Sequence, residues 1–108
     1  MLNQAVLVGR IVNDPELKDT EKGKVANITI AVPRSFKNAN GEYDTDFIPV
    51  ILNGSIATNT MEYCKKGDVI GVKGRIQRFE KDFTANGFPI LELVAEKVTF
   101  LSSSHKED

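Results

Sequence analysis

The chain of 108 residues has one cysteine, one histidine and a net charge of only −1. With Cys64 as the single cysteine, an internal disulfide is excluded, which fits a reducing compartment. No apolar run approaches the roughly 18 residues of a membrane span, and the N-terminal segment lacks the basic and apolar parts of a signal peptide. The near-neutral charge argues against binding duplex nucleic acid through overall charge. We therefore expect one cytoplasmic domain, large enough to bury its own core and without a membrane partner.

The polar residues form no catalytic or metal-binding pattern. The acidic residues crowd into turn-rich segments, and His105 stands alone near the C-terminus. Hydrolysis of nucleic acid needs carboxylates or histidines around a metal, or an activated nucleophile. We therefore expect no enzyme, no catalytic residue, no metal and no cofactor. Cys64 is predicted to be a small apolar residue that closes a helix rather than a reactive thiol.

Residues 67–79 are the most informative segment, because in a strand their side chains alternate between two faces. One face is mostly apolar and suits a core: Asp68, Ile70, Val72, Gly74, Ile76 and Arg78. The other face carries cations, an amide and an aromatic ring: Val69, Gly71, Lys73, Arg75, Gln77 and Phe79. Cations for phosphates and a ring for a base are what a surface needs to bind single-stranded nucleic acid. For this strand alone, an ordinary solvated face is an equally good interpretation.

Turn residues divide the chain into five predicted strands and one helix. The strands are predicted at residues 4–12, 24–32, 46–52, 67–79 and 89–101. The helix of about ten residues is predicted to begin at Ser55 as N-cap and to end with Gly67 as C-cap. Residues 13–23 are predicted to form a loop, and Pro33 to end the second strand.

Three further features bear on the surface of this sheet. Residues 5–8 are too apolar to alternate cleanly, which predicts that the first strand is covered on both faces for part of its length. The arms on either side of residues 38–41 are expected to project beyond the core as a hairpin. The last strand breaks its alternation at residues 93–95, which predicts a bulge or a bend.

Three strands, a short helix and two more strands predict the fold. An all-β barrel of five strands, with its helix between strands three and four, is the OB-fold arrangement, and this fold binds oligonucleotides. The domain is predicted to span residues 1–101. Residues 102–108 show no pattern and are predicted to form a short disordered tail.

Several segments, in this order, resemble the bacterial single-stranded DNA-binding protein family. The resemblance runs from residue 2 to residue 101 and rests on LN (2–3), VLVGR (6–10), DPEL (14–17), VANITIAV (25–32), DFIPV (46–50), YCKKGD (63–68), VKGRIQ (72–77) and AEKVTFL (95–101). It implies sequence-tolerant binding and protection of single-stranded DNA in replication, recombination and repair. It also implies a homotetramer, associated with the nucleoid in the cytoplasm.

The resemblance also implies site residues. By position, Phe36 and Phe47 match stacking positions of the family, and Phe79 lies near a third that Phe83 or Phe88 could occupy instead. The full set of DNA-binding candidates, stacking and ionic, is Arg34, Phe36, Lys37, Phe47, Lys73, Arg75, Gln77, Arg78 and Phe79. From sequence alone, Phe47 could instead belong to the core.

The chain departs from the family in three ways. It has no tryptophan, which predicts weaker stacking per base, and Asn53 stands where the family often has a bulkier residue. The sequence ends without the acidic, hydrophobic tip through which the family recruits replication proteins. We therefore expect either a truncated chain or a minimal member from a phage or mobile element, without this route to partners.

Two other functions remain open at this stage. The first is an OB-fold accessory module of replication restart that acts mainly through protein contacts, although the face with Lys73, Arg75 and Phe79 argues against a purely protein-binding role. The second is RNA binding, because stacking and phosphate contacts do not inspect the sugar strongly.

Overall fold

The computed structural model describes residues 1–78 and 84–102. Within these ranges the elements are β1 (Ala5–Ile11), β2 (Glu16–Thr20), β3 (Gly23–Lys37), β4 (Tyr43–Asn53), α1 (Gly54–Tyr63), β5 (Val69–Arg78), β6 (Thr84–Ala85), β7 (Phe88–Pro89) and β8 (Leu91–Ser102). A closed barrel is formed by β1, β3, β4, β5 and β8, while β2 pairs outside it with β3, and β6 pairs with β7. The predicted five-stranded barrel, with a short helix between its third and fourth strands, is confirmed.

The barrel closes between β1 and β3, where Arg10 pairs with Ala31 and Ile11 with Ile30. The other edge of β1 pairs with β5, and β5 pairs with β8. A short parallel pairing of β4 with β8 completes the ring. Because the sheet is closed, every barrel strand has an inner and an outer face, and alternate side chains point into the core.

The inner face carries one hydrophobic core, to which α1 contributes where it packs against the barrel. Its buried members are Ile11, Ala26, Ile28, Ile30, Val50, Leu52, Ala57, Cys64, Ile70, Val72, Leu93 and Ala95. The alternation predicted for the second strand is confirmed, since its even-numbered residues 26, 28 and 30 are buried. Each fully buried aliphatic side chain of this kind stabilises the fold by about 1.5–3 kcal/mol through the hydrophobic effect.

Two of the differences from the predicted strands lie at β2 and β3. Residues 16–20, predicted as loop, form β2 and pair with β3, with Leu17 opposite Ala26. Pro33 does not end β3, which continues to Lys37. At Pro33 the strand is paired with β4, opposite Thr45, but no longer with β1. A proline is tolerated there because one edge of the strand needs no donor.

The helix has the predicted length of ten residues but not the predicted caps. Its N-cap is Asn53 rather than Ser55, because Gly54 takes a φ of 58° and turns the chain directly from β4 into the helix. A positive φ of this kind is accessible to glycine without a steric penalty. The C-cap is Cys64, whose N–H donates to the Thr60 carbonyl at 2.9 Å.

Cys64 is buried beneath the end of the helix as a member of the core. Burial, and to a smaller extent the negative charge of Asp68, raises the pKa of its thiol to about 11. The thiol is therefore protonated at neutral pH and is not a nucleophile. The prediction of an apolar residue at the end of a helix is confirmed.

The irregularity predicted in the last strand is a bulge between β5 and β8. Lys73 is opposite Lys97 while the next residue, Gly74, is opposite Ala95, so Glu96 is an extra residue in β8. The backbones approach closely here, and a Cβ atom on Gly74 would clash with the Val94 carbonyl oxygen.

Gly74→Ala is expected to lower the free energy of unfolding by about 1–3 kcal/mol, as overpacking a core does. Gly71→Ala on the same strand is the matched control, because its new methyl group would lie 3.7 Å from the nearest atom, Leu101 Cδ1. Urea denaturation followed by circular dichroism measures both variants. Equal unfolding free energies for the two variants would contradict the close approach at Gly74.

Candidate nucleic-acid interface

Residues 33–46 form a two-stranded arm in which β3 and β4 continue beyond the last pair with β1. Its tip turns at Gly41, which has a φ of 79° and whose N–H donates to the Asn38 carbonyl at 3.0 Å. The Asn38 N–H in turn donates to the Glu42 carbonyl at 2.7 Å. The hairpin predicted to project from the core is this arm.

Three aromatic rings on the arm and the adjoining part of β4 face solvent. Phe36, Tyr43 and Phe47 have exposed fractions of 63%, 58% and 64%. On β4 the alternate residues Ile48 and Val50 pack into the core, so Phe47 points outward, which the sequence left open. Tyr43 was not among the predicted site residues, although it lies on the same face of β4 as Phe47, about 13 Å along the strand at 3.3 Å per residue.

Arg34 lies at the base of the arm between two carboxylates. Its Nε and Nη2 atoms donate to Asp46 at 3.1 and 2.9 Å, and its Nη1 atom is 3.8 Å from Asp44 Oδ2. These hydrogen bonds hold the pKa of the Asp46 carboxyl below its usual range, and Asp46 raises the pKa of Arg34. Nearer the tip, Lys37 Nζ is 5.8 Å from the centroid of the Tyr43 ring, a cation–π distance.

The outer face of β5 carries a chain of polar contacts. Arg75 Nη2 donates to Gln77 Oε1 at 3.1 Å, and Gln77 Nε2 donates to Glu92 Oε1 at 2.7 Å. Arg75 Nη1 is also 3.8 Å from Glu96 Oε2. The cation predicted to contact phosphate is therefore close to carboxylates of β8.

Lys73, further along the same face of β5, is exposed and is paired across the sheet with Lys97 of β8. Paired residues share a face, so two lysines stand side by side on the outside of the barrel. Lys97 was missing from the predicted site because its position depends on the bulge at Glu96. Without that extra residue, Lys97 would fall on the inner face.

The register joins the outer face of β5 to that of β4 through β8. Arg75 is opposite Val94, and Val94 is opposite Ile51. Because β4 runs parallel to β8 and β5 runs antiparallel, Phe47 and Gln77 lie toward the same end of this surface. We call it the β4–β8–β5 face. It brings together Phe47, Arg75 and Gln77 from the predicted set.

Not every predicted residue lies on this face. Arg78 alternates in phase with Ile70, Val72 and Ile76 and is exposed where β5 extends past the core. Phe79 and Phe83 lie outside the described residues. Phe88 is on β7 and is exposed. Of the three candidates for a third stacking ring, Phe88 is therefore the one that lies within the described residues.

Residues 103–108 of the predicted tail also lie outside the described residues. Ser102, the first residue of that predicted tail, ends β8 and pairs with Val69. In the described ranges no three His, Cys, Asp or Glu side chains are grouped so that they could hold a metal ion. The helix found there is too short and too polar to cross a membrane.

The chain matches the single-strand binding protein family over residues 2–101. It belongs to this family. As a single-strand binding protein it is 43% identical over 110 residues to single-stranded DNA-binding protein B of Bacillus subtilis (strain 168), covering 99% of this chain and 96% of that relative. It is 41% identical over 110 residues to single-stranded DNA-binding protein 1 of Staphylococcus aureus (strain MSSA476), covering 100% of this chain and 70% of that one. The family resemblance predicted from the sequence is confirmed.

A solved structure supports the fold of this single-strand binding protein independently. The crystal structure of the small single-stranded DNA-binding protein from Streptomyces coelicolor superposes with a TM-score of 0.71 at 20% identity, covering 93% of this chain and 94% of that one. At this identity the likeness concerns the barrel and not the side chains on its surface.

The outward position of Phe47 predicts that its ring contributes little to the core. Phe47→Ala is expected to change the free energy of unfolding by less than about 0.5 kcal/mol, as at other exposed sites. Leu52→Ala, on the same strand but fully buried, is expected to cost about 2–5 kcal/mol. Urea denaturation distinguishes them, and comparable losses for both would place Phe47 in the core.

Proposed function

We propose that this protein binds and protects single-stranded DNA with little regard to sequence, in replication, recombination and repair. The observation that carries the proposal is the exposure of Phe36 and Phe47, rings that the core does not use, on and beside a face with polar and cationic side chains. Exposed rings offer stacking surfaces to unpaired bases, at about 1–3 kcal/mol per base in single-strand binders, a class that includes this family.

The charge distribution favours single strands over duplex. The chain has a net charge of −1, and two of the three candidate arginines, Arg34 and Arg75, have carboxylate neighbours. A duplex hides the faces of its bases and is bound largely through its phosphates. A surface with exposed aromatic rings and little net positive charge therefore gains more binding free energy from a single strand than from a duplex.

Each candidate residue has a proposed role. Phe36 and Phe47 stack on bases. The side-chain amide of Gln77 donates hydrogen bonds to the DNA strand or accepts them from it. A third ring, Phe79 or in its place Phe83 or Phe88, extends the stacking surface. The phosphate contacts come from Arg34, Lys37, Lys73, Arg75 and Arg78. We propose that residues 1–101 act as the binding domain, without catalysis or a cofactor, in the cytoplasm and at the nucleoid.

The double variant Phe36→Ala/Phe47→Ala is expected to bind a labelled oligo-dT of about 35 nucleotides at least about 30-fold more weakly, because two stacking contacts are lost. Fluorescence anisotropy measures this affinity. Tyr63→Ala is the matched control, because the Tyr63 ring is equally exposed but lies on α1 and is not among the candidate site residues.

The same titration includes a duplex and an RNA oligomer of equal length. Tight binding to the DNA single strand with little to the duplex supports the proposal. Unchanged affinity in the double variant would remove Phe36 and Phe47 from the site. Equal affinity for DNA and RNA would extend the function to single-stranded nucleic acid in general.

We also propose that the protein acts as a homo-oligomer, a tetramer by family resemblance. The sequence predicts that β1 is covered on both faces, yet in the single chain Val6 and Val8 have exposed fractions of 66% and 53%. With Leu101, which lies 3.7 Å from the position of a Cβ on Gly71, they form an apolar patch on the outside of the barrel. A second copy of the chain would cover this patch.

Val8→Lys is expected to shift the protein toward its 11.9 kDa monomer in light scattering coupled to gel filtration. The cause is the cost of burying an unpaired lysine in an apolar contact. Leu91→Lys makes a comparable change at a similarly exposed residue outside the patch and is expected to leave the mass unchanged. A wild-type protein that is already monomeric would contradict the proposed assembly.

A further inference from the structure

Two arginines of the proposed DNA-binding surface have carboxylate neighbours. Arg34 contacts Asp46 and lies near Asp44. Arg75 lies near Glu96, and Gln77 links it to Glu92. The Arg34 group of one cation and two anions carries a formal charge of −1. A position expected to attract phosphate is therefore locally acidic.

The Arg34 group is the tighter of the two. The Nε and Nη2 edge of the guanidinium, which a phosphate would approach with two parallel hydrogen bonds, is already occupied by both oxygens of Asp46. The remaining Nη1 atom is 3.8 Å from Asp44. A phosphate cannot take the same bidentate position unless Asp46 moves away.

We propose that Asp46 competes with DNA phosphate for Arg34 and thereby sets how much the arm contributes to affinity and to its dependence on salt. The inference rests on the proposed function, because the competing phosphate is that of a bound single strand. Asp46 is in this sense a positioning residue that acts on DNA through Arg34.

The exposure of the pair makes the exchange possible. The side chains of Arg34 and Asp46 are 43% and 46% exposed, so Asp46 can swing into water without disturbing the core. Exposed ion pairs are weak, and the carboxylate therefore lowers the affinity of the contact for phosphate rather than blocking it. The expected reduction is about two- to fivefold.

The competition also predicts an unusual salt dependence. A cation that binds phosphate on a single strand normally contributes about −0.7 to the slope of log affinity against log salt, because a counterion is released. When a phosphate replaces Asp46, the released carboxylate gathers counterions of its own. The Arg34 contact then adds little to the slope, although it is an ionic contact.

The test replaces Asp46 with its uncharged near-isostere in Asp46→Asn. The control is Asp19→Asn, which makes the same change in net charge at an ion pair of 2.7 Å with Lys24, on the β2–β3 hairpin and outside the candidate site. Anisotropy with labelled oligo-dT, and with an abasic oligomer of equal length that carries phosphates without bases, is measured at several salt concentrations.

Asp46→Asn is expected to bind both oligomers about two- to fivefold more tightly than Asp19→Asn does, with a slope steeper by about 0.7. In an Arg34→Gln background the same substitution is expected to change both quantities no more than Asp19→Asn does, because the cation that it liberates is absent. Circular dichroism and urea denaturation verify that every variant is folded.

The possible failures are distinguishable. Weaker binding by Asp46→Asn, or binding and slope equal to those of Asp19→Asn, would overturn the competition while leaving the proposed function intact. A gain that persists in the Arg34→Gln background would also overturn it, because the effect would not pass through Arg34. A wild-type protein that binds no single strand would overturn the proposed function and this inference together.

Discussion

Closure of the sheet between β1 and β3 is the constraint on which the rest of the structure depends. Arg10 pairs with Ala31 and Ile11 with Ile30 at this contact, and these pairs hold the ends of the ring together. The backbones approach so closely that a Cβ on Gly9 would lie 2.6 Å from the Ala31 carbonyl oxygen. Once the ring is closed, each strand has one face inside and one outside, and Ile11 is buried while its neighbour Arg10 is exposed.

Because each barrel strand has an inner and an outer face, the residues that stabilise the fold differ from those proposed to bind DNA. On β4, Val50 and Leu52 belong to the core, whereas Phe47 and Pro49, which precede them, face water. The core is complete without the outward rings, so those rings are available to a ligand. The acidic neighbours of Arg34 and Arg75 reduce the positive charge of the outer surface, and the proposed recognition of single strands therefore depends more on accessible base faces than on charge.

Most of the fold follows from patterns that are local in the sequence. The alternation of Ala26, Ile28 and Ile30 and the run from Ile70 to Val72 indicate the inner face before any partner strand is known. In contrast, β2 contains one apolar residue, Leu17, and forms because β3 offers it an edge. Residues 16–20 are a strand because they pair with β3, and the sequence of this segment alone does not predict that pairing.

The site was less predictable because its polar contacts depend on register. Asp46 is 12 residues from Arg34 along the chain and reaches it only because β3 and β4 pair in the arm. Lys97 stands beside Lys73 only because of the bulge at Glu96. Tyr43 could have been found from the sequence, since it alternates in phase with Phe47 on the same strand.

The arm has a further consequence for how the molecule behaves in a crowded solution. Beyond the barrel, each of its two strands has an edge that pairs with no other described strand. Unpaired edges can pair with strands of neighbouring molecules, and natural proteins prevent this with charged residues and prolines. Pro33, Lys37 and Asp44 lie along these edges. The carboxylates beside Arg34 therefore also help a long, exposed hairpin to avoid becoming a template for aggregation.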